Sequence, residues 1–234
     1  MKTLKSITLI GLMLFSASAV VAQEEEEGPR YIFGGTESPK VSGFGAFTTA
    51  FSSVNNEFAV LNGGGAALLI NQTFYIGAYG EGLSTGHFRD YEVYSGITDE
   101  NEMYSHMRTS FGHGGFWLGY IHNYKEPLHW GVSAKIGWGS VAINEDYYDE
   151  YNYEDYYTLQ VDNAFVFSPQ IEFEMNLFKW MKVNAAAGYR LVAGLDEVYP
   201  YKNGDVIEYK NYVSDGQFSA PYGEITLLFG WFNQ

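Results

Sequence analysis

The links between the strand-like segments of this chain alternate between short and long. After residue 40 the sequence contains eight runs with the period-two patterning of β-strands. Three links are short turns, at Asn71-Gln72, at Tyr124-Lys125-Glu126-Pro127 and at Lys179-Trp180-Met181. Three of the other four are long, acidic and rich in tyrosine. Short turns at one end and long loops at the other are typical of a membrane-spanning antiparallel barrel.

The predicted strands are long enough for such a barrel, because a tilted strand crosses the hydrocarbon in about 9–11 residues. They are residues 40–53, 57–70, 73–83, 107–123, 128–142, 164–178, 182–195 and 217–232. This assignment places the long loops 84–106, 143–163 and 196–216 on the outside, together with a short outer hairpin at 54–56. The predicted fold class is therefore all-β, an eight-stranded antiparallel transmembrane β-barrel with up-and-down connections.

Alternate residues of these strands separate into a polar and an apolar face. In 164–178, Glu172 and Glu174 share one face, whereas Ile171 and Phe173 share the other. Water-facing strands would carry many charges, but only six charged residues lie well inside the strands, namely Glu81, Lys135, Glu172, Glu174, Arg190 and Glu224. We therefore expect the polar face to line a narrow lumen and the apolar face to contact lipid.

The first residues have the pattern of a secretory signal peptide. A positively charged start is followed by a short apolar run and by small residues that end at Ala22. We predict a signal peptide at 1–22, a polar periplasmic leader at 23–39 and a transmembrane β-barrel domain at 40–234. An uncleaved anchor helix is the alternative, and the shortness of the apolar run argues against it.

Charge and cysteine content exclude several classes of function. Removal of the predicted signal peptide, which carries two lysines and no acid, moves the formal charge from −15 to −17. A protein with this charge repels nucleic acid, so no nucleic-acid partner is expected. The sequence contains no cysteine, which excludes disulfides, thiolate metal sites and a cysteine nucleophile. We expect no cofactor.

The last strand, from Tyr222 to Phe232, alternates apolar and polar residues and ends in aromatic ones. With the strand count and the loop asymmetry, it resembles the small eight-stranded outer-membrane barrels of Gram-negative bacteria, the group that contains the OmpA transmembrane domain, OmpX and OmpW. The resemblance covers about residues 40–232. It implies a monomer in the cell outer membrane, in contact with membrane lipid and lipopolysaccharide. It also implies that the barrel-assembly machinery reads the C-terminal strand.

The six charged residues of the predicted lumen have two interpretations. An eight-stranded barrel is filled by its own side chains, and buried charges have to be paired. We therefore expect a structural ionic network in which Arg190 bridges Glu224 and either Glu172 or Glu174. A gated pore or a proton path is the alternative.

Loop 143–163 is unusually acidic. From Glu145 to Tyr157 it contains six acids and six tyrosines and no base. Such side chains suit divalent cations or a protein partner, and a solvated loop bridged by cations near lipopolysaccharide is the simplest interpretation. The spacing matches no known calcium loop, so the sequence does not decide whether a metal binds. The acids of this candidate cation or partner loop are Glu145, Asp146, Asp149, Glu150, Glu154 and Asp155.

No catalytic residue is predicted from the sequence. Lipid A deacylases and palmitoyltransferases share the small-barrel architecture and use His with Ser, and here Glu102, His106 and Ser110 are near in sequence. No His-x-Ser pair lies on a lipid-facing strand surface, and a nucleophile needs an oriented base. We therefore expect a structural or surface-interaction protein that acts through acidic, tyrosine-rich extracellular loops. A narrow channel or transporter for small solutes is the alternative, and a lipid-modifying enzyme is the least favoured.

Overall fold

The computed structural model describes residues 39–145 and 158–232. Within these ranges the chain forms eleven strands and one short helix, and no described helix is long and apolar enough to cross a membrane. The predicted signal peptide and the predicted leader up to residue 38 lie outside the described residues. The elements are β1 (Val41–Val54), β2 (Glu57–Ile70), β3 (Phe74–Leu83), β4 (Phe88–Ser95), β5 (Glu100–His122), β6 (Leu128–Glu145), β7 (Thr158–Phe178), β8 (Met181–Ala193), β9 (Tyr199–Asn203), β10 (Val206–Lys210), α1 (Asp215–Phe218) and β11 (Ala220–Gly230).

Eight of the strands close into an antiparallel barrel. Their order around the ring is β1-β2-β3-β5-β6-β7-β8-β11, and β11 pairs back with β1. The register of this closure places Phe47 opposite Leu227, while β3 pairs with β5 through Ile76 and Leu118. The predicted eight-stranded barrel is therefore confirmed.

The outer surface of the barrel wall is apolar, and its interior is polar. On β7, Glu172 is 2% exposed, whereas the neighbouring Phe173 is 57% exposed. On β11, Glu224 is 2% exposed and Ile225 is 44% exposed. A closed ring satisfies the backbone hydrogen bonds without water, and an apolar outer wall suits hydrocarbon. The barrel is therefore of the transmembrane type that the alternation predicted.

The connections at one end of the barrel are short, as predicted. Residues 71–73 join β2 to β3, residues 123–127 join β5 to β6, and residues 179–180 join β7 to β8. At the opposite end, Asn55 and Asn56 join β1 to β2 with φ values of 55° and 64°. Positive φ at both central residues is typical of a type I′ turn, whose twist matches that of a β-hairpin. The predicted short hairpin at 54–56 is confirmed, at the end of the barrel opposite the short turns.

Two of the predicted long loops contain strands. Loop 84–106 includes β4 and the first residues of β5, which pair with each other beyond the barrel. Loop 196–216 includes β9 and β10, which form a separate two-stranded sheet. The sequence predicted these segments only as long loops and did not reveal their strands, because their tyrosines and charges mask a strand pattern that pairing stabilises. The centre of loop 143–163 lies outside the described residues.

The last predicted strand, 217–232, begins three residues late, at Ala220. The chain before it turns into α1, where the side-chain oxygen of Gln217 accepts a hydrogen bond of 2.8 Å from the backbone amide of Ser214. Helix α1 carries Phe218 into the barrel, where this side chain is fully buried. The burial of Phe218 therefore favours a helical turn at the start of the predicted strand, although the sequence alternates there.

The interior of the barrel holds two apolar clusters. The cluster at the long-loop end includes Leu61, Phe111, Ile143, Val166 and Phe218. The cluster at the short-turn end includes Phe44, Leu69, Tyr75 and Trp117. The polar side chains of the lumen contact both clusters, so the interior is packed along its length.

Candidate functional site

Lys135 is the centre of the lumen network. Its ammonium donates hydrogen bonds to the carboxylates of Glu81 and Glu224, and the Nζ–Oε2 distance to Glu224 is 2.6 Å. The side chain is 1% exposed and lies 5.6 Å from the ring of Tyr79 and 5.5 Å from that of Trp117. The structure thus brings three of the six predicted lumen residues into one contact.

Glu174 has two other basic partners. His129 Nε2 lies 2.8 Å from Glu174 Oε1, and Lys182 Nζ lies 2.6 Å from the same oxygen. Lys182 also lies over the ring of Phe232, at 4.5 Å. Neither partner was expected from the sequence, because both residues flank short turns. The alternation of inward-facing and outward-facing residues places both side chains in the lumen, as it does Glu174, and this pattern would have identified them as partners.

Glu172 is held by neutral donors. Its carboxylate accepts hydrogen bonds from the hydroxyls of Ser133 and Tyr75 and from the side-chain amide of Gln170, whose nitrogen is 2.6 Å away. Tyr222 donates in turn to the oxygen of Gln170 at 2.7 Å. Buried carboxylates that lack a base are stabilised by such hydrogen bonds.

Arg190 is buried at the long-loop end of the lumen. Its Nε donates to the carbonyl of Phe218 at 2.8 Å, and its Nη2 donates to the carbonyl of Ser53 at 3.0 Å. The guanidinium lies 5.4 Å from the ring of Phe111. Arg190 therefore ties α1 and the end of β1 to the barrel wall.

The prediction that Arg190 bridges to Glu224 is wrong, and both residues lie in the part of the chain that the structure describes. The register of β8 with β11 places Arg190 opposite Ala220 and Glu224 opposite Ala186. This offset of four residues corresponds to about 13 Å along a strand. Lys135, which reaches across the lumen, pairs with Glu224 instead.

Replacing Arg190 with methionine should lower the free energy of unfolding by about 2–3 kcal/mol, since charged hydrogen bonds to two buried carbonyls are lost. Arg190→Lys should lose less, because one ammonium can still reach one carbonyl. Urea unfolding of the detergent-solubilised protein, followed by tryptophan fluorescence, measures both. An Arg190→Met midpoint equal to that of the wild type would contradict the role in tying α1 to the wall.

Two hairpins stand at the long-loop end of the barrel, and we call them together the loop platform. One consists of β4 and residues 100–108 of β5, and the other of β9 and β10. The side chain of Asn101 donates to the carbonyl of Lys202 at 2.7 Å and accepts from the amide of Lys202 at 3.2 Å. These two hydrogen bonds resemble the donor and acceptor pair between neighbouring strands, and they hold the two hairpins side by side.

An ion pair and two tyrosines add to this contact. Lys202 Nζ lies 2.9 Å from the carboxylate of Asp99. That hydrogen bond lowers the pKa of Asp99 and raises the pKa of Lys202, so both are charged at neutral pH. Tyr201 donates to the Glu92 carboxylate and Tyr212 donates to the Glu92 carbonyl, both at 2.9 Å. Exposed ion pairs stabilise little, so most of the order comes from the hydrogen bonds to backbone.

Large apolar side chains of the loop platform remain exposed. Ile97 at the tip of the first hairpin is 97% exposed, and Tyr209 on β10 is 73% exposed. Val206 and Ile207 of β10 are also exposed. A hydrogen-bonded surface with exposed tyrosine and aliphatic side chains suits contact with another molecule.

The acidic loop is described only at its edge. Glu145 ends β6 opposite Met107, whereas Asp146, Asp149, Glu150, Glu154 and Asp155 lie outside the described residues. Within residues 39–145 and 158–232, no group of three or more His, Asp or Glu side chains could hold a metal ion. The predicted cation or partner role of the loop therefore stays a prediction.

His106, considered for catalysis with Ser110, and His113 both have structural contacts. The ring of His106 stacks on Phe88 at 4.4 Å, and four residues along an extended strand separate it from Ser110 by about 13 Å. His113 Nδ1 lies 3.1 Å from the hydroxyl of Tyr79 inside the barrel. His106 and Ser110 thus do not form a nucleophile and base pair.

Comparisons with known proteins give structural matches at low sequence identity. No family model and no curated protein matches the chain. Neisserial surface protein A is 10% identical, with 84% of this chain and 100% of that chain covered and a TM-score of 0.47. The N-terminal β-barrel domain of OprF from Pseudomonas aeruginosa is 10% identical, with 80% and 96% covered and a TM-score of 0.38. The outer membrane protease OmpT from Escherichia coli is 9% identical, with 82% and 94% covered and a TM-score of 0.28. The eight-stranded fold rests on the strand pairing of the chain itself.

Proposed function

We propose that this chain is an outer-membrane β-barrel protein whose role is a surface interaction carried by its extracellular end. The barrel serves as a packed anchor, and the loop platform presents the interacting surface. The observation that carries the proposal is the reciprocal bonding between Asn101 and Lys202, which orders two hairpins where the sequence alone predicts loops. The acidic, tyrosine-rich segment between β6 and β7 belongs to the same proposed surface.

The proposed orientation places the short turns in the periplasm. Aromatic side chains cluster there, and the rings of Phe178 and Trp180 stack at 5.6 Å near the β7–β8 turn. Aromatic residues at such a position mark the membrane interface. The contacts with lipopolysaccharide and with the barrel-assembly machinery through the last strand are part of this proposal.

Trypsin added to intact cells should cleave after the exposed Lys210 and should spare Lys125 and Lys179 in the short turns. Lysis of the outer membrane should expose the turns to cleavage. Mass spectrometry of the released peptides identifies the sites. Cleavage after Lys125 in intact cells, with Lys210 spared, would reverse the orientation.

Adhesion of whole cells tests the surface role. Cells that display the wild-type protein should bind immobilised extracellular-matrix proteins above the level of cells without it. The Asn101→Ala/Lys202→Ala double variant should reduce adhesion, because it removes the two hydrogen bonds of the Asn101 side chain and the ion pair of Lys202 with Asp99. Lys125→Ala, at the opposite end, is the matched control and should adhere like the wild type. Equal adhesion with and without the protein would overturn the proposal.

A narrow channel is the second candidate, and the packing of the lumen disfavours it. Trp117, Lys135 and Phe218 are each at most 1% exposed. Trp117 and Lys135 lie opposite each other on β5 and β6, and Phe218 belongs to the apolar cluster at the long-loop end. An eight-stranded barrel has an interior just wide enough to be filled by such side chains. The purified protein should show no stable ohmic conductance in planar bilayers, and a reproducible conductance would favour the channel instead.

A further inference from the structure

A hydroxyl, an imidazole and a carboxylate line up at the long-loop end of the barrel, apart from the lumen network. Thr85 and His87 lie in the connection between β3 and β4, and Glu57 is the first residue of β2. Thr85 Oγ1 lies 2.9 Å from His87 Nε2, and His87 Nδ1 lies 3.3 Å from Glu57 Oε2. A nucleophile, a general base and an orienting carboxylate are connected in this order in hydrolases that form acyl-enzymes.

The hydrogen bonds around the three groups favour the reactive protonation state. In the tautomer that carries its proton on Nδ1, His87 donates to Glu57, and the lone pair of Nε2 is directed at the hydroxyl of Thr85. The backbone amide of Val60 donates to Thr85 Oγ1 at 3.3 Å, so the hydroxyl proton is directed toward His87. Arg89 Nη2 contacts the other oxygen of Glu57 at 3.3 Å and the carbonyl of Asn55 at 2.9 Å, which steadies the carboxylate.

Backbone pairing holds the segment in place while its nucleophile stays accessible. The amide of Ser84 donates to the carbonyl of Val60, and the amide of Thr109 donates to the carbonyl of His87, both at 2.8 Å. His87 is only 3% exposed, whereas Thr85 is partly exposed and Glu57 is exposed. A buried base beside an accessible hydroxyl is the arrangement that a substrate can approach.

We propose that Thr85, His87 and Glu57 form a hydrolytic site for carboxylic esters of amphiphiles. Exposed apolar rings lie on the outer face of the same strands, because neighbours along a strand point to opposite faces. Phe58, which follows Glu57, is 67% exposed and stacks on Phe51 at 6.5 Å. Phe88, which follows His87, is 38% exposed. We therefore propose that the acyl chain lies on this outer wall and that its ester passes over the rim to reach Thr85.

The reaction balances with an ester and water alone. Thr85 Oγ1 bonds to the ester carbonyl carbon as its proton passes to His87 Nε2, and we assign the oxyanion donor to the backbone amide of Gly86, the residue after the nucleophile. Collapse breaks the carbon–oxygen bond, and the leaving alcohol takes the proton from His87. Water then attacks the acyl-threonine and gives a proton to His87. Release of the carboxylic acid returns that proton to Thr85.

Labelling and hydrolysis by the purified full-length protein in detergent test the proposal. An alkyl fluorophosphonate should attach to the peptide that contains Thr85, and p-nitrophenyl butyrate should be hydrolysed. Thr85→Val should abolish the label and reduce hydrolysis to the rate of buffer, whereas Thr85→Ser should keep both. His87→Gln should slow hydrolysis by about 100-fold or more, as expected for loss of a general base.

The controls separate catalysis from folding. Ser84→Ala removes the neighbouring hydroxyl, which bonds to Asn62, and should keep both the label and the rate. Glu57 is a positioning residue, so Glu57→Gln should slow hydrolysis and Glu57→Asp should recover part of it, with unchanged unfolding midpoints. If Thr85→Val fails to fold, Thr85→Ser and His87→Gln decide the result. An unlabelled wild type, or wild-type hydrolysis by His87→Gln, would overturn the proposal.

Discussion

Replacing Lys135 with methionine should lower the free energy of unfolding by about 3–5 kcal/mol, the typical cost of removing one partner of a buried ion pair. Methionine has a similar volume, so the packing against Tyr79 and Trp117 is kept. The loss comes from Glu81 and Glu224, whose carboxylates stay buried without their shared ammonium. Urea unfolding in detergent, followed by tryptophan fluorescence, measures the change.

Two further variants show whether the loss is electrostatic. Lys135→Met combined with Glu81→Gln and Glu224→Gln should recover much of the stability, because the uncompensated charges are gone. Lys125→Met in an exposed turn is the matched control and should stay within about 0.5 kcal/mol of the wild type. Equal unfolding midpoints for Lys135→Met and Lys125→Met would show that Lys135 is not part of a buried network.

Replacing Phe218 with alanine should lower the free energy of unfolding by about 3–5 kcal/mol, as for other fully buried phenyl rings. Phe218 is 0% exposed and packs against Phe111 with ring centroids 5.2 Å apart. The cavity would also loosen α1, whose last residue presents its carbonyl to Arg190. The same urea titration measures this change.

Phe47→Ala is the control for this second effect. Phe47 lies on the outer wall and is 53% exposed, so its truncation leaves no internal cavity and should cost much less. Coincident unfolding curves for the two alanine variants would mean that Phe218 does not fill the long-loop end of the barrel.

The facing of each barrel strand could be predicted from the sequence. On β7, Glu172 faces inward and Phe173 outward, as the alternation indicates. Facing depends on the period of two along one strand and on a boundary between a polar and an apolar environment. Neither requires knowledge of which strand lies next to which. The same local pattern predicted the strand number and the short turns.

The partners of the lumen side chains could not be predicted in this way. Lys135 meets Glu81 and Glu224, which are 54 and 89 residues away in sequence. Arg190 does not contact Glu224, because the register of β8 with β11 places the two residues at different positions along the strands. Counting residues from the nearest turn ignores this stagger, which accumulates around a tilted barrel.

The same limit applies to the long-loop end. Thr85 and His87 are close in sequence, but the carboxylate that contacts His87 belongs to Glu57 on β2. Asn101 and Lys202, which bond to each other, are 101 residues apart in sequence. A Thr-x-His pair in a predicted loop differs from the His-x-Ser pairs on lipid-facing strands that the known small-barrel enzymes suggest.

By itself the sequence determined that this chain forms eight alternating strands with an apolar outer face, a sparsely charged interior and unequal loops. Only the tertiary structure decided which charges pair, that two loops fold into a platform, and that a hydroxyl, an imidazole and a carboxylate meet at the rim. The difference has a physical reason. The facing of a side chain is a local property of one strand, whereas its partner depends on the register and tilt of all strands once the ring has closed.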